Sequence, residues 1–127
     1  MTRVVDGDTI EVSLDGRSED VRLIGVDTPE TVKPNTPVQC FGERASHFTK
    51  RRLTGRRARL VFGVERRDVY GRLLAYVYLH GRFFNPILVR HGLARSLTIP
   101  PNDRFAPRFR HLELAAARAG RGLWGAC

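Results

Sequence analysis

Three short stretches of this sequence hold residues equipped to work on a phosphodiester: Asp6-Gly7-Asp8-Thr9, Arg22-Leu23-Ile24-Gly25-Val26-Asp27-Thr28-Pro29-Glu30 and Asp68-Val69-Tyr70-Gly71-Arg72. Asp8 and Asp27 offer carboxylate oxygens, the hard ligands that a cation such as calcium takes alongside carbonyls and water. Glu30 follows Asp27 across a proline-stiffened turn. From there it could act on a water near a metal without binding the metal, and attack on phosphorus needs a water relieved of its proton. Arg22 and Arg72 offer guanidiniums, which grip phosphate bidentately and stay charged at any working pH. Taken singly, each residue has a bland reading. Asp closes turns readily, and most arginines of so basic a chain are surface residues. The combination is what points to metal-assisted phosphodiester cleavage. An EF-hand does not explain the acidic stretch: Asp6-Gly7-Asp8 lacks the loop glycine, and Arg17 stands where the closing Glu belongs.

In this order and spacing, the three stretches resemble the signature of the thermonuclease (staphylococcal-nuclease-like) family. D-G-D-T alone is a weak signal; with R-x-x-G-x-D-T-P-E and D-x-Y-G-R it becomes a strong one. The resemblance runs from about Val4 to Trp124. It takes in Phe41-Gly42-Glu43-Arg44-Ala45-Ser46, Leu74-Ala75-Tyr76-Val77, Asn85, Leu88 to Ala94 and Gly122-Leu123-Trp124. It implies an α+β fold, a five-stranded OB-fold β-barrel of Greek-key type with about three α-helices, spanning 1–127 as one domain. It also implies a calcium-dependent nuclease acting on DNA and RNA with little base specificity. Water would attack phosphorus and the 5′-oxygen would leave, giving 3′-phosphate products. By matching position, Asp8, Asp27 and the carbonyl of Thr28 would hold calcium. Arg22, Glu30 and Arg72 would be catalytic, and Tyr70 would contact the nucleotide.

The sequence departs from relatives in three places. Val69 stands where a phosphate-binding Lys can occur. Leu97-Thr98-Ile99-Pro100 stands where tyrosines can line the base pocket. Only five residues precede Asp6, so the first strand must be short. These changes imply weaker mononucleotide binding, with surface arginines compensating on longer substrates. The rival reading is a non-catalytic nucleic-acid-binding module of the same superfamily, which would keep the barrel and lose the catalytic set. All five positions of that set match here. A basic barrel that binds a protein or an anionic glycan is a more distant rival, and it predicts no metal effect.

Composition agrees with a polyanionic substrate. The net charge is +9, and 20 of the 22 basic residues are Arg. A charge of that size attracts nucleic acid. At 127 residues and 42% hydrophobic content, the chain can build one modest core. No apolar run reaches the length of a membrane span, and no membrane partner is expected; nor is any partner copy, so a monomer is. The start, Met1-Thr2-Arg3-Val4-Val5, has no apolar signal core. The protein is therefore either cytosolic or read here without a leader. Cys40 and Cys127 are not in a C-x-x-C pair, which argues against zinc. They leave two readings open: one disulfide tying the C-terminal end to the segment before the first helix, or two free thiols in a cytosolic protein. The bridge suits an oxidising compartment, and a secreted or cell-envelope location is the expectation.

The elements that must position these residues follow from local patterns. Thr9 to Leu14 alternates apolar and polar as a half-buried strand does, Asp15-Gly16 makes a tight hairpin turn, and Asp20 to Val26 is the return strand. There Arg22 falls on the face opposite Val21 and Leu23. Thr31 to Gln39 reads as a loop. Gly42 to Leu53 reads as a helix stopped near Gly55. Arg59 to Phe62 and Leu73 to Leu79 read as strands, and His80-Gly81 turns into Arg82-Phe83-Phe84. Asn85-Pro86 reads as an N-cap followed by proline at the first helical position, with Gly92 ending the helix. A last helix runs from Pro107 to about Ala119. Phe48, Phe62, Phe83, Leu88 and Trp124 are expected in the core. His47, His80, His91 and His111 lack metal-ligand spacing.

Overall fold

The computed structural model describes residues 3–29 and 39–127. Strand β1 (Arg3–Asp6) is short. It turns at Gly7-Asp8 into β2 (Thr9–Leu14), which pairs antiparallel with β3 (Arg17–Leu23). The β2–β3 turn places both Asp15 (φ 51°) and Gly16 (φ 80°) in the left-handed region. That geometry matches the twist of the flanking strands, and an Asp-Gly pair supplies it cheaply. The alternation on β3 is as expected: Val21 and Leu23 are buried, with Arg22 between them on the other face.

The return strand does not run on to Val26. It stops at Leu23, and the chain resumes as β4 (Gly25–Asp27), which pairs with a separate strand. The break is at Gly25, whose φ is 86°. A Cβ there would lie 2.3 Å from the Phe109 ring, so only glycine allows the chain to turn this close to it. The turn swings Asp27 out of the main sheet.

Helix α1 (Gly42–Leu53) buries Ala45, Thr49 and Leu53 and packs on β1. Strand β5 (Arg59–Arg67) is longer than the apolar run Arg59 to Phe62 suggests, and its far half is exposed. It pairs antiparallel with β6 (Leu73–Leu79), which also lies parallel to β3, with Val21 opposite Leu73. The main sheet thus has the order β1-β2-β3-β6-β5, with β7 (Arg82–Phe83) paired to β6. A meander of three strands followed by a fourth neighbour from later in the chain is the topology of a small Greek-key barrel. The described pairs leave its β1 and β5 edges unjoined, in keeping with the partly open barrel of OB-folds.

Asn85 is not the cap of helix α2 (Asn85–Arg90); Phe84 holds that place, with Pro86 in the first turn. The Asn85 side chain instead turns inward and is fully buried. Its Oδ1 accepts from the Val77 amide at 2.9 Å, and its Nδ2 donates to the Ile24 carbonyl at 2.9 Å and to that of Ala75 at 3.3 Å. It therefore fastens the β3–β4 break to β6. A strand missing from the sequence-based expectation, β8 (Arg95–Leu97), follows α2 and pairs with β4. Helix α3 (Ala106–Arg118) closes the core with Phe109. A one-turn helix, α4 (Leu123–Ala126), also unforeseen, brings the helices among the described residues to four where about three were expected.

The core joins Ile10, Val21, Leu23, Leu73, Ala75 and Val77 of the sheet to Leu53, Leu88 and Phe109 of the helices. Leu88 is fully buried, while Phe48, Phe62 and Phe83 sit at its margin. Trp124 is half-buried, not a core residue, and the Arg95 guanidinium lies 4.6 Å above its ring. A disulfide joins Cys40, just before α1, to Cys127, with 6.0 Å between their Cα atoms.

Candidate active site

The turn that carries Asp8 is held from three sides. Asp6 Oδ1 accepts the Gly7 amide at 3.1 Å, and the Gly7 carbonyl accepts the Thr49 hydroxyl of α1 at 2.7 Å. The Leu23 amide donates to the Asp8 carbonyl at 2.9 Å. Gly7 has no room for a side chain, because a Cβ would come within 2.8 Å of Thr28. The turn and the β4 end therefore lie in direct contact. The Asp8 carboxylate reinforces that contact: Oδ2 accepts the Thr28 amide at 2.8 Å, while Oδ1 accepts the Thr9 hydroxyl at 3.2 Å.

Arg22 lies at the junction. Its Nη1 donates to the carbonyls of Leu23 (2.9 Å) and Val26 (2.7 Å), which fixes the plane of the guanidinium. Its Nη2 lies 3.3 Å from Asp8 Oδ2 and 3.7 Å from Asp27 Oδ1. Asp8 is nearly buried, whereas the Asp27 side chain is 49% exposed and faces solvent. Burial is the main influence that raises the Asp27 pKa above its ordinary value. The Asp8 charge adds to it, and the positive charges of Arg22 and Arg95 offset it only in part. The Asp8 charge thus disfavours ionisation of Asp27, a condition that a bound cation relieves. Thr28 contributes its amide to Asp8, and its hydroxyl is buried against Gly7 with no hydrogen-bond partner among the described residues.

Arg72 is held by local means. It follows Gly71 (φ 81°) in the turn between β5 and β6. Asp68 Oδ1 accepts the amides of Tyr70 and Arg72, both at 2.9 Å, and Asp68 Oδ2 takes the Arg72 Nε at 2.7 Å. Burial alone would raise the Asp68 pKa. The hydrogen bonds and charge of Arg72, with the Tyr70 amide, outweigh it and hold the carboxyl below the ordinary aspartate range. Tyr70 and Val69 project from this turn, 81% and 93% exposed, with the Arg72 guanidinium 5.4 Å from the Tyr70 ring. Tyr70 is thus not a barrel-packing residue.

Arg22, Arg72 and Tyr70 line one cleft of about 380 Å³, together with Leu97, Ile99 and Pro100. Asp27 and Thr28 line an adjoining cavity of about 400 Å³, with Arg95, Cys40 and Cys127 on its other walls. The structure thus brings Asp8, Arg22, Asp27 and Thr28 into one cluster and sets Arg72 and Tyr70 around the cleft that Arg22 enters. Glu30, and most of the Thr31 to Gln39 loop, lie outside the described residues. Asp68, Thr49 and Asn85 were assigned no site role from sequence. For Asp68 the signal was present, an Asp four residues ahead of an Arg across a glycine turn. Asn85 stood out only as one marker of the resemblance, and for Thr49 there was no signal, because its partner Gly7 is distant in sequence.

A profile of the staphylococcal nuclease homologue family matches residues 20–126. The chain belongs to that family. It is 52% identical over 122 residues to the thermonuclease of Staphylococcus intermedius, covering 96% of this chain and 73% of that protein. It is 48% identical over 122 residues to the thermonuclease of Staphylococcus hyicus, covering 96% and 72%. It is 42% identical over 126 residues to endonuclease YncB of Bacillus subtilis (strain 168), covering 98% of this chain and 60% of that one. The fold of the family is the one the sheet order above describes.

Proposed function

We propose that this chain is a calcium-dependent nuclease that hydrolyses DNA and RNA with little base specificity, leaving 3′-phosphate ends. Membership of the family makes it a nuclease, a hydrolase of nucleic-acid phosphodiesters. The calcium requirement and the division of labour rest on the site. The observation that carries them is the convergence of Asp8 and Asp27 on one nitrogen of Arg22, beside the cleft that Arg72 also lines.

The donors there suit a hard divalent ion. Asp8 and Asp27 are carboxylates, one nearly buried and one open to solvent, and their mutual repulsion favours a cation between them. Among the described residues no group of three His, Cys, Asp or Glu side chains converges. The carbonyl of Thr28 and water would therefore complete the shell. Calcium, when bound, supplies charge that polarises a phosphoryl oxygen and orients a water.

The protein's own residues do the rest. Arg22, locked by two carbonyls, presents a fixed positive charge where charge builds on the phosphate. Preorganised donors of this kind are each worth about 3–4 kcal/mol in the transition state. Arg72, aimed by Asp68, neutralises the same phosphate from across the cleft and stabilises the leaving 5′-oxygen. Glu30, by its place in the sequence, takes the proton from the attacking water. Tyr70 meets the nucleotide at the cleft mouth. A single domain acting as a monomer on nucleic acid outside the cytoplasm completes the reading. The Cys40–Cys127 bridge supports that location, because such bonds persist in oxidising compartments.

The test is cleavage of denatured DNA by the purified protein with calcium, and again with excess chelator. Calcium-dependent cleavage that the chelator abolishes is expected. Cleavage that survives the chelator would remove calcium from the reading. Tight DNA binding without cleavage under either condition would replace the enzyme with a binding module.

A further inference from the structure

Three arginines lie around the cleft and the Asp27 cluster, and two of them are engaged by carboxylates. Arg22 faces Asp8 and Asp27, and Arg72 is ion-paired to Asp68. The third, Arg95, is different. Among the described residues no carboxylate lies within salt-bridge distance of it. It is the direct cross-strand partner of Asp27 in the β4–β8 pair, and residues so paired point their side chains to the same face of the sheet. Its guanidinium rests 4.6 Å above the Trp124 ring. Stacking on indole fixes the plane of an Arg while leaving the N–H groups along its edge free. Arg95 also lines the cavity of about 400 Å³ whose other walls, among the described residues, are Asp27, Thr28, Pro29, Gln39, Leu123 and the Cys40–Cys127 bridge.

We propose that this cavity is a subsite for a non-scissile phosphate of the substrate strand, gripped by Arg95. The inference rests on the nuclease reading above and adds where the strand runs: past the β4–β8 pair and over the disulfide. A planar, exposed, immobilised guanidinium with a free edge matches two phosphate oxygens at once. What favours a phosphate over a carboxylate is the adjoining Asp8, Arg22 and Asp27 cluster, where the scissile phosphate of the same strand would lie. The disulfide joins two of the cavity's walls. Arg95 is a binding residue in this scheme and takes no part in bond breaking.

The experiment compares the parent with Arg95→Gln and Arg95→Lys on two substrates, a single-stranded DNA of about ten nucleotides and a dinucleotide with only the scissile phosphate. For Arg95→Gln the expected result on the longer strand is a KM raised about tenfold with kcat retained, the loss of one good phosphate grip. On the dinucleotide, at saturating calcium, KM should rise far less than on the longer strand, because only the longer strand places a second phosphate at Arg95. Binding of the same strand in chelator should show a salt slope shallower by about 0.7, the release of one fewer counterion. Arg95→Lys should keep the slope and lose part of the affinity. Equal loss of kcat on both substrates with a lowered melting temperature would overturn the proposal, because it would show Arg95 to be a structural prop for Trp124 and Asp27. An unchanged KM and salt slope would overturn it as well. If the parent cleaves neither substrate, the nuclease reading fails, and the salt slope still decides whether Arg95 holds a phosphate.

Discussion

Arg22 and Arg72 reach toward the same cleft and are held in opposite ways. Arg22 stands one residue from the end of β3, and its partners come from the β1–β2 turn, the end of β3 and β4: Asp8, Leu23, Val26 and Asp27. Its side chain is 15% exposed. Arg72 stands beyond a glycine turn and draws its hold from a single residue four positions earlier, with its side chain 31% exposed. The first arrangement is tertiary: it exists only when three segments have docked. The second is a local loop that can form with little help. The same chemical demand, an aimed positive charge, has thus been met once by the fold and once by the turn. The two should fail differently.

The largest expected effect is at Arg22. Arg22→Lys keeps the charge and loses the fork that reaches two carbonyls and a carboxylate at once. Turnover on DNA should fall about 10²–10³-fold. Stability should fall too, by about 1–3 kcal/mol, because the Leu23 and Val26 carbonyls and the Asp8 carboxylate lose a partner in a poorly solvated place. Steady-state kinetics and urea melts of the same preparation measure both. Unchanged stability would mean that the Arg22 cluster serves the reaction alone, and the contrast with Arg72 would collapse. Arg72→Lys is the matching change. It should cost turnover about 10²-fold and leave the melt within about 0.5 kcal/mol of the parent, as a change in an exposed turn usually does. Near-full activity in this variant would remove Arg72 from the mechanism.

The same contrast explains what the sequence disclosed. The Asp68-to-Arg72 turn was legible because everything it needs lies within five residues, including the glycine that turns the chain. The strands Thr9 to Leu14 and Leu73 to Leu79 and the helix Gly42 to Leu53 were legible because side-chain periodicity declares them. The β4–β8 pair was not. Leu23, Ile24 and Val26 extend the apolar run with no polar residue or proline to mark a stop, so it reads as one strand although Val26 is out of step with Val21 and Leu23. The break at Gly25 is required by the ring of Phe109, which arrives from the far end of the chain. Asn85-Pro86 carried a genuine helix-start pattern, yet the buried carbonyls of Ile24 and Ala75 and the Val77 amide claimed the side chain. Asp8, Arg22 and Asp27 could be placed in one site by resemblance to a family. Their contacts, and the Thr28 amide and Thr49 hydroxyl that support them, came only from the packing.

A gentler change probes whether the local clamp aims Arg72 or only shapes the turn. Asp68→Asn keeps an oxygen for the Tyr70 and Arg72 amides and removes the charge that holds the Arg72 Nε. Charge-assisted hydrogen bonds are about twice as strong as neutral ones, so turnover should fall about tenfold with KM little changed. The pH dependence gives a second readout. The folded-state pKa of Asp68 lies below its ordinary value of 3.8. The carboxylate therefore adds stability above that value and loses it as pH falls through the lower folded one. The stability gap between parent and Asp68→Asn should be full near neutrality and should close under strongly acid conditions. A gap independent of pH would show that the charge plays no part in the clamp.

The smallest effect is expected at the tip of the same turn. Tyr70 is exposed, with Val69 beside it in place of a cation. Its hold on a nucleotide rests on the ring and on its nearness to Arg72. Stacking on an aromatic contributes about 1–3 kcal/mol per base. With one face turned toward the guanidinium, the lower end applies, so Tyr70→Ala should raise KM about fivefold and leave kcat alone. Tyr70→Phe should be nearly silent if the ring does the binding, and should match Tyr70→Ala if the hydroxyl meets a phosphate. A drop in kcat for either variant would mean that the tip of the turn helps to aim Arg72. The local region would then be as interdependent as the cluster around Arg22, and the difference between the two would be one of distance along the chain, not of design.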